Sequence, residues 1–218
     1  MTRTARFMRF GRAAIAITLL APGCSSFLTN STTSSYIVLD SLLASTGREP
    51  DKLANVLNSD VLTYVKVDQT RVPTIFADNL VASFSLALKN PGDADNPIKP
   101  TSTNLITITR YHVKFIRSDG RDVEGVDVPY AFDGGVTVTV TSDGVKASVV
   151  LVRSQSKQEA PLRALVIQDG VPPVTFNPTT GAISTIAQVT FYGKDQTGRD
   201  VSVTGNISVN FADYGDPS

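Results

Sequence analysis

Cysteine is all but missing from this chain. Cys24 is the only one in 218 residues, so no intramolecular disulfide can form and stability must come from a packed core. Tryptophan is absent and histidine occurs once, as His112. Without tryptophan, the side chains left for stacking on a sugar are Tyr130 and Phe132 in one loop, or Tyr192 and Tyr214 near the end. Core or loop packing is the simpler role for all four. His112 shares the parity of Arg110 and Lys114 in a strand-like run, so it is expected to face solvent. A general base would need an oriented partner and a cleft. No G-x-S-x-G elbow, Walker loop or H-E-x-x-H pair occurs. The sequence therefore points to a protein that is not an enzyme and needs no cofactor. The longest apolar run near the start, Ala13 to Ala21, falls well short of the about 20 residues that a membrane-spanning helix requires.

Acidic residues are absent from the first 23 positions, which carry Arg3, Arg6, Arg9 and Arg12. A basic start, a short apolar stretch and small residues before a cut are the parts of an export leader. Pro22-Gly23-Cys24 closes it, and Ser25 begins a Ser/Thr-rich, uncharged run to Ser35. Leu20-Ala21-Pro22-Gly23-Cys24 resembles the lipobox of bacterial lipoproteins. That resemblance implies lipidation of the Cys24 thiol, cleavage before it and an anchor in the cell envelope. Ser25 after the cysteine is similar to the pattern that goes with the outer membrane. An ordinary secretory cut nearby is the alternative, and it leaves Cys24 removed or free. The expected division is a signal peptide over 1–23, a lipidated cysteine with a flexible tether over 24–35, and one domain over 36–218.

The leader holds four of the 20 basic residues and none of the 20 acidic ones, so the remainder has a net charge of about −4. Nucleic acid is excluded on that ground, because phosphate contacts need basic surface. The expected partners are a membrane, reached through the lipid, and an envelope protein.

Val and Thr are frequent, and short runs of period two recur between Gly, Asp, Asn and Pro clusters. This predicts an all-β antiparallel sandwich. Strands are expected at Tyr36–Leu43, Asp60–Val65, Leu80–Lys89, Leu105–Arg117, Val123–Val128, Val136–Thr141, Val145–Val152, Ile186–Lys194 and Arg199–Phe211. Gly47–Ser59 reads as loop with a helical turn. Gln155–Ala164 is the one segment where a helix competes, and Glu159–Leu165 reads as a short helix with Pro161 in its first turn. In Leu105–Arg117 the apolar parity switches from Ile106 and Ile108 to Tyr111, Val113 and Phe115, which predicts a bulge near Thr109 and Arg110. Ser118–Arg121 and Asp143-Gly144 read as hairpin turns.

The final pair, Val189 to Val203, alternates, turns through Asp195 and Gly198, and alternates again. It resembles the last hairpin of immunoglobulin-like and fibronectin type III-like bacterial surface domains, which implies a scaffold or binding role and no chemistry. The whole pattern is similar to that of bacterial lipoproteins without assigned activity.

Acidic turns supply the remaining candidates. Asp119, Asp122 and Asp127 are the candidate calcium ligands, since calcium takes six to eight oxygens from turn carboxylates and carbonyls. Asp93 with Asp95, and Asp195 with Asp200, form similar pairs without EF-hand spacing. Asp favours turns without any ion, so turn capping is the simpler reading. The function expected is a non-catalytic, lipid-anchored envelope protein that binds or scaffolds another component. The alternatives are a hydrolase using turn carboxylates, or a subunit of a surface or secretion assembly.

Overall fold

The computed structural model describes residues 33–166 and 181–214. Ten strands dominate it. The chain runs β1 (Ser35–Ser45), β2 (Val56–Asp60), β3 (Thr63–Val67), β4 (Thr70–Thr74), β5 (Asp78–Leu88), β6 (Ile106–Arg117), β7 (Phe132–Val140), β8 (Val145–Val152), β9 (Ala182–Asp195) and β10 (Asp200–Ala212). A short helix, α1 (Ser154–Gln158), and two 3₁₀ turns at Ser102–Asn104 and Leu162–Leu165 complete it.

Two sheets face each other. One has the order β1-β5-β8 and the other β2-β10-β9-β6-β7. This is the strand order of an immunoglobulin-like sandwich, with β2 added beside the last strand. The core lies between the sheets. The ring of Phe84 on β5 meets that of Phe191 on β9 edge-on, with centroids 4.9 Å apart. On β10, Val201, Ile207, Val209 and Phe211 are buried while Thr204, Asn206 and Ser208 are exposed, as period two demands. Each larger side chain so buried favours folding by about 1.5–3 kcal/mol before entropy is counted.

The expected bulge is present. Both pairings of β6 shift register between Ile108 and Arg110. Ile106 and Ile108 therefore reach the core before it, and Tyr111, Val113 and Phe115 after it.

Other expectations are corrected. Val123–Val128 is not the return strand of a hairpin. The Val123 carbonyl instead accepts the N–H groups of Val126 and Asp127, curling the segment into a turn with Val123 and Val126 exposed. The place beside β6 belongs to β7, which begins at Phe132, in a stretch that reads as loop. Its Gly134 lies under Tyr111, where a Cβ would come 2.2 Å from the ring and displace it. The Asp143-Gly144 turn does not close a hairpin either, since β8 crosses to the opposite sheet and pairs with β5. Gly47–Ser59 contains the start of β2, which pairs parallel with β10. Asp60–Val65 is broken at Val61 and Leu62, both buried, where the Val61 N–H turns to the Ala212 carbonyl at 3.0 Å. The last residues of the expected tether are packed: Thr33 and Ser35 are buried, and the Ser35 hydroxyl donates to the Asn104 carbonyl at 2.7 Å. The helix expected over Glu159–Leu165 is displaced: α1 lies just before it, and Pro161 instead caps the 3₁₀ turn at Leu162–Leu165.

Register fixes which loops share an end. Ser35 pairs with Leu88 and Ser45 with Asn79. The chain thus enters at one pole, with Asn104 and the β9–β10 turn. The head of β5, the end of β8, α1 and the end of β10 gather at the other. The 11 residues of β1 separate the poles by about 35 Å.

Candidate functional site: a cleft at the far pole

Asp78 opens β5 on the parity of Leu80, Ala82 and Phe84, so the strand turns its carboxylate inward. Three other pieces of chain converge on it. Ser59 of β2 donates its hydroxyl to Oδ2 at 2.6 Å. Lys157 of α1 brings Nζ to 2.8 Å from the same oxygen, with both side chains 1% exposed. The Gly47 N–H donates to Oδ1 at 3.1 Å. Only glycine fits there, since a Cβ at 47 would lie 2.1 Å from the Ala77 carbonyl oxygen.

Above this buried pair opens a cleft of about 390 Å³. Its walls include Asn58, Asp60, Phe76 and Tyr214, with Arg48 and Lys52 among its rim residues. Asp60 accepts from the Thr63 hydroxyl at 2.7 Å and from the Tyr214 N–H at 3.1 Å. Burial, and then the charge of Asp60, push the Tyr214 phenol above its ordinary pKa. Asn210 donates to Asn58 at 3.2 Å beside it. Lys52 pairs with Glu49 at 2.6 Å across the rim. Ser59 is fully buried and commits its proton to Asp78, so it cannot meet a substrate. The Asp78–Lys157 pair braces the floor, and the walls offer hydrogen-bonding groups and two aromatic faces to a ligand.

From this cleft projects the β3–β4 ribbon. Outside its own two strands it makes only sparse contact with the described sandwich. Val67 and Val72 are exposed, and Arg71 lies over the Tyr64 ring at 4.9 Å.

The residues expected to carry function lie elsewhere. Cys24 falls outside the described residues. Arg121 bridges Asp119 and Asp127 at 2.8 and 3.2 Å, and Lys114 takes Asp122 at 2.8 Å. The Arg121 hydrogen bonds hold the Asp119 carboxyl below its usual pKa. Among the described residues no three His, Cys, Asp or Glu side chains come together as a metal-binding group. The three expected calcium ligands thus have protein cations as partners. Asp93 caps its own loop through the N–H groups of Asp95 and Asn96, and Lys194 pairs with Asp200. His112 is half-buried and faces Asp133, 3.3 Å away on β7. Phe132 is buried, Tyr130 is exposed, and Tyr192 carries Arg110 over its ring at 4.3 Å. Tyr214 alone of the four aromatics lines the cleft. Asp78 was missed, although it shares the parity of Leu80, Ala82 and Phe84, and nothing local marks Lys157. Comparisons with protein-family models, curated proteins and solved structures find no match to this chain.

Proposed function

We propose that this chain is a non-catalytic lipoprotein of the bacterial cell envelope, anchored through Cys24 in the outer membrane, whose sandwich binds or scaffolds another envelope component. The observation that carries this reading is the polarity of the fold. The chain enters the sandwich at Ser35, eleven residues after the cysteine that ends the leader-like segment. The cleft and the ribbon sit at the opposite pole. An anchored domain of this shape holds its binding face away from the lipid. A binding role also suits the cleft floor, where the ionisable groups brace one another and are shielded from any substrate. Two or three acyl chains on one cysteine anchor firmly, where one short chain binds marginally at about 0.8 kcal/mol per buried CH₂.

Growth of the native host with a clickable fatty acid tests the anchor. The wild-type chain is expected to carry label and to fractionate with outer membrane, and Cys24→Ala to lose the label. Label retained by Cys24→Ala, or an unlabelled soluble wild type, refutes the reading.

A further inference from the structure

A second cleft, of about 740 Å³, opens on the other face of α1, lined by Tyr130, Arg153, Gln155, Gln158, Glu159 and Arg163 among others. Lys157 turns toward the first cleft while Gln155 and Gln158, three residues apart, turn toward this one.

Its charge is uncompensated. The Arg153 guanidinium lies over the face of Phe132, 4.4 Å from the ring centroid, and Phe132 is itself pinned edge-on by Tyr111 at 6.2 Å. The stack holds the cation in place without a carboxylate. Among the described residues neither Arg153 nor Arg163 has an acidic partner, and the buried Nε of Arg153 has no hydrogen-bond acceptor. Glu159, the acid in the wall, accepts from Gln155 Nε2 at 2.8 Å. Two guanidinium groups and one carboxylate leave a single net positive charge. That balance suits a single carboxylate group at the site better than a dianionic phosphate, and the planar guanidinium fork matches it.

An aromatic surface stands beside the cations. Tyr130 is 49% exposed, yet its ring is fixed. It lies on Gly125, whose φ is +75° and whose missing Cβ would come 2.4 Å from the phenol oxygen. The hydroxyl end of the ring is thus packed on main chain, while about half of the residue stays exposed beside the cleft.

We propose that this cleft binds a carboxylate-bearing saccharide. Arg153 and Arg163 take the uronate carboxylate, the exposed ring of Tyr130 takes the sugar ring, and the Gln155 and Gln158 amides meet hydroxyls. This deepens the binding role proposed above and is independent of the lipid anchor.

Calorimetry on the full chain in mild detergent tests it, with trigalacturonate as probe and its methyl ester as the uncharged control. Trigalacturonate is expected to bind, and the ester to bind at least about tenfold more weakly, because the charge-assisted bonds are lost. Arg163→Ala, on the exposed rim, is expected to weaken binding about tenfold at unchanged melting temperature, and so is Arg153→Lys, which keeps charge but not the fork. Tyr130→Ala is expected to weaken it while Tyr130→Phe preserves it. The proposal is overturned if no uronate binds, if the ester binds equally, or if Arg163→Ala and Arg153→Lys bind as wild type. Inorganic phosphate or an acidic peptide binding more tightly than trigalacturonate overturns it too. Each failure leaves Cys24 labelling untouched, so it is distinguishable from failure of the anchored reading.

Discussion

Asp78 and Lys157 show what one buried contact can organise. The pair joins the head of β5 to α1, while Ser59 and Gly47 tie β2 and the loop after β1 to the same carboxylate. Removing one member strands the other in a place without water. Asp78→Ala and Lys157→Met should therefore each destabilise by about 3–5 kcal/mol in urea denaturation. Because they remove one interaction, the double variant should cost less than the two singles summed, and strict additivity would refute the coupling. At the opposite pole Asp195 governs a pH response. Burial alone would raise its pKa. Bonds from the Thr197 hydroxyl and from the Arg199 and Thr197 N–H groups, at 2.7–2.9 Å, outweigh that and hold it below the ordinary carboxylate value. A carboxyl with a lower pKa folded than unfolded adds stability above the unfolded value, and that contribution is lost as pH falls through the folded one. The melting-temperature gap between wild type and Asp195→Asn should be full at neutral pH and narrow below about pH 4. A gap that widens in acid would show that the sign is wrong.

At the scale of elements, what could be read in advance was whatever depends on neighbours in sequence. β5, β6 with its bulge, β9 and β10 follow from parity alone, because one wet and one dry face leave a period-two trace. Elements that depend on a distant partner left none. β2 is a strand only because β10 offers an edge, and Phe132–Gly135 joins β7 only because Tyr111 can lie over Gly134. Val123–Val128 had the residues of a strand and no edge to join. The candidate cleft was the least legible part, since Lys157 reaches Asp78 across 79 positions of sequence. The β3–β4 ribbon carries a local conflict. Asp68 and Gln69 sit at φ of 47° and 73°, the positive pair that a type I′ turn demands, with no glycine to relieve them. Gln69→Gly should strengthen the ribbon by about 1 kcal/mol, the usual penalty for a side chain in that region. Since the ribbon is nearly detached from the core, hydrogen exchange of its amides should slow while global melting stays unchanged. A rise in global melting temperature would instead show that the ribbon is integral to the sandwich.

The described sandwich has unlike ends. From Cys24 to Thr33 the chain can reach at most about 31 Å at ~3.4 Å per residue, and β1 then carries it about 35 Å further to the cleft. The tether is thus no longer than the domain, and anchoring should bias the average orientation with the entry pole toward lipid. Cys24 is the only cysteine, and in the lipidated form its thiol is consumed. A cysteine added elsewhere is then the sole site for a fluorophore. Gln196→Cys, in the β9–β10 turn, reports the entry pole, and Gln69→Cys, at the ribbon tip, reports the far one. Both positions are exposed, so neither label should disturb packing. With the lipidated variants in vesicles that contain a headgroup-attached quencher, fluorescence at position 196 should be quenched more than at 69. The difference should vanish when the unlipidated Cys24→Ala forms are mixed with the same vesicles. Equal quenching at both positions in the lipidated protein would mean that the domain lies flat or tumbles freely, and the case for a binding face held clear of the membrane would fail.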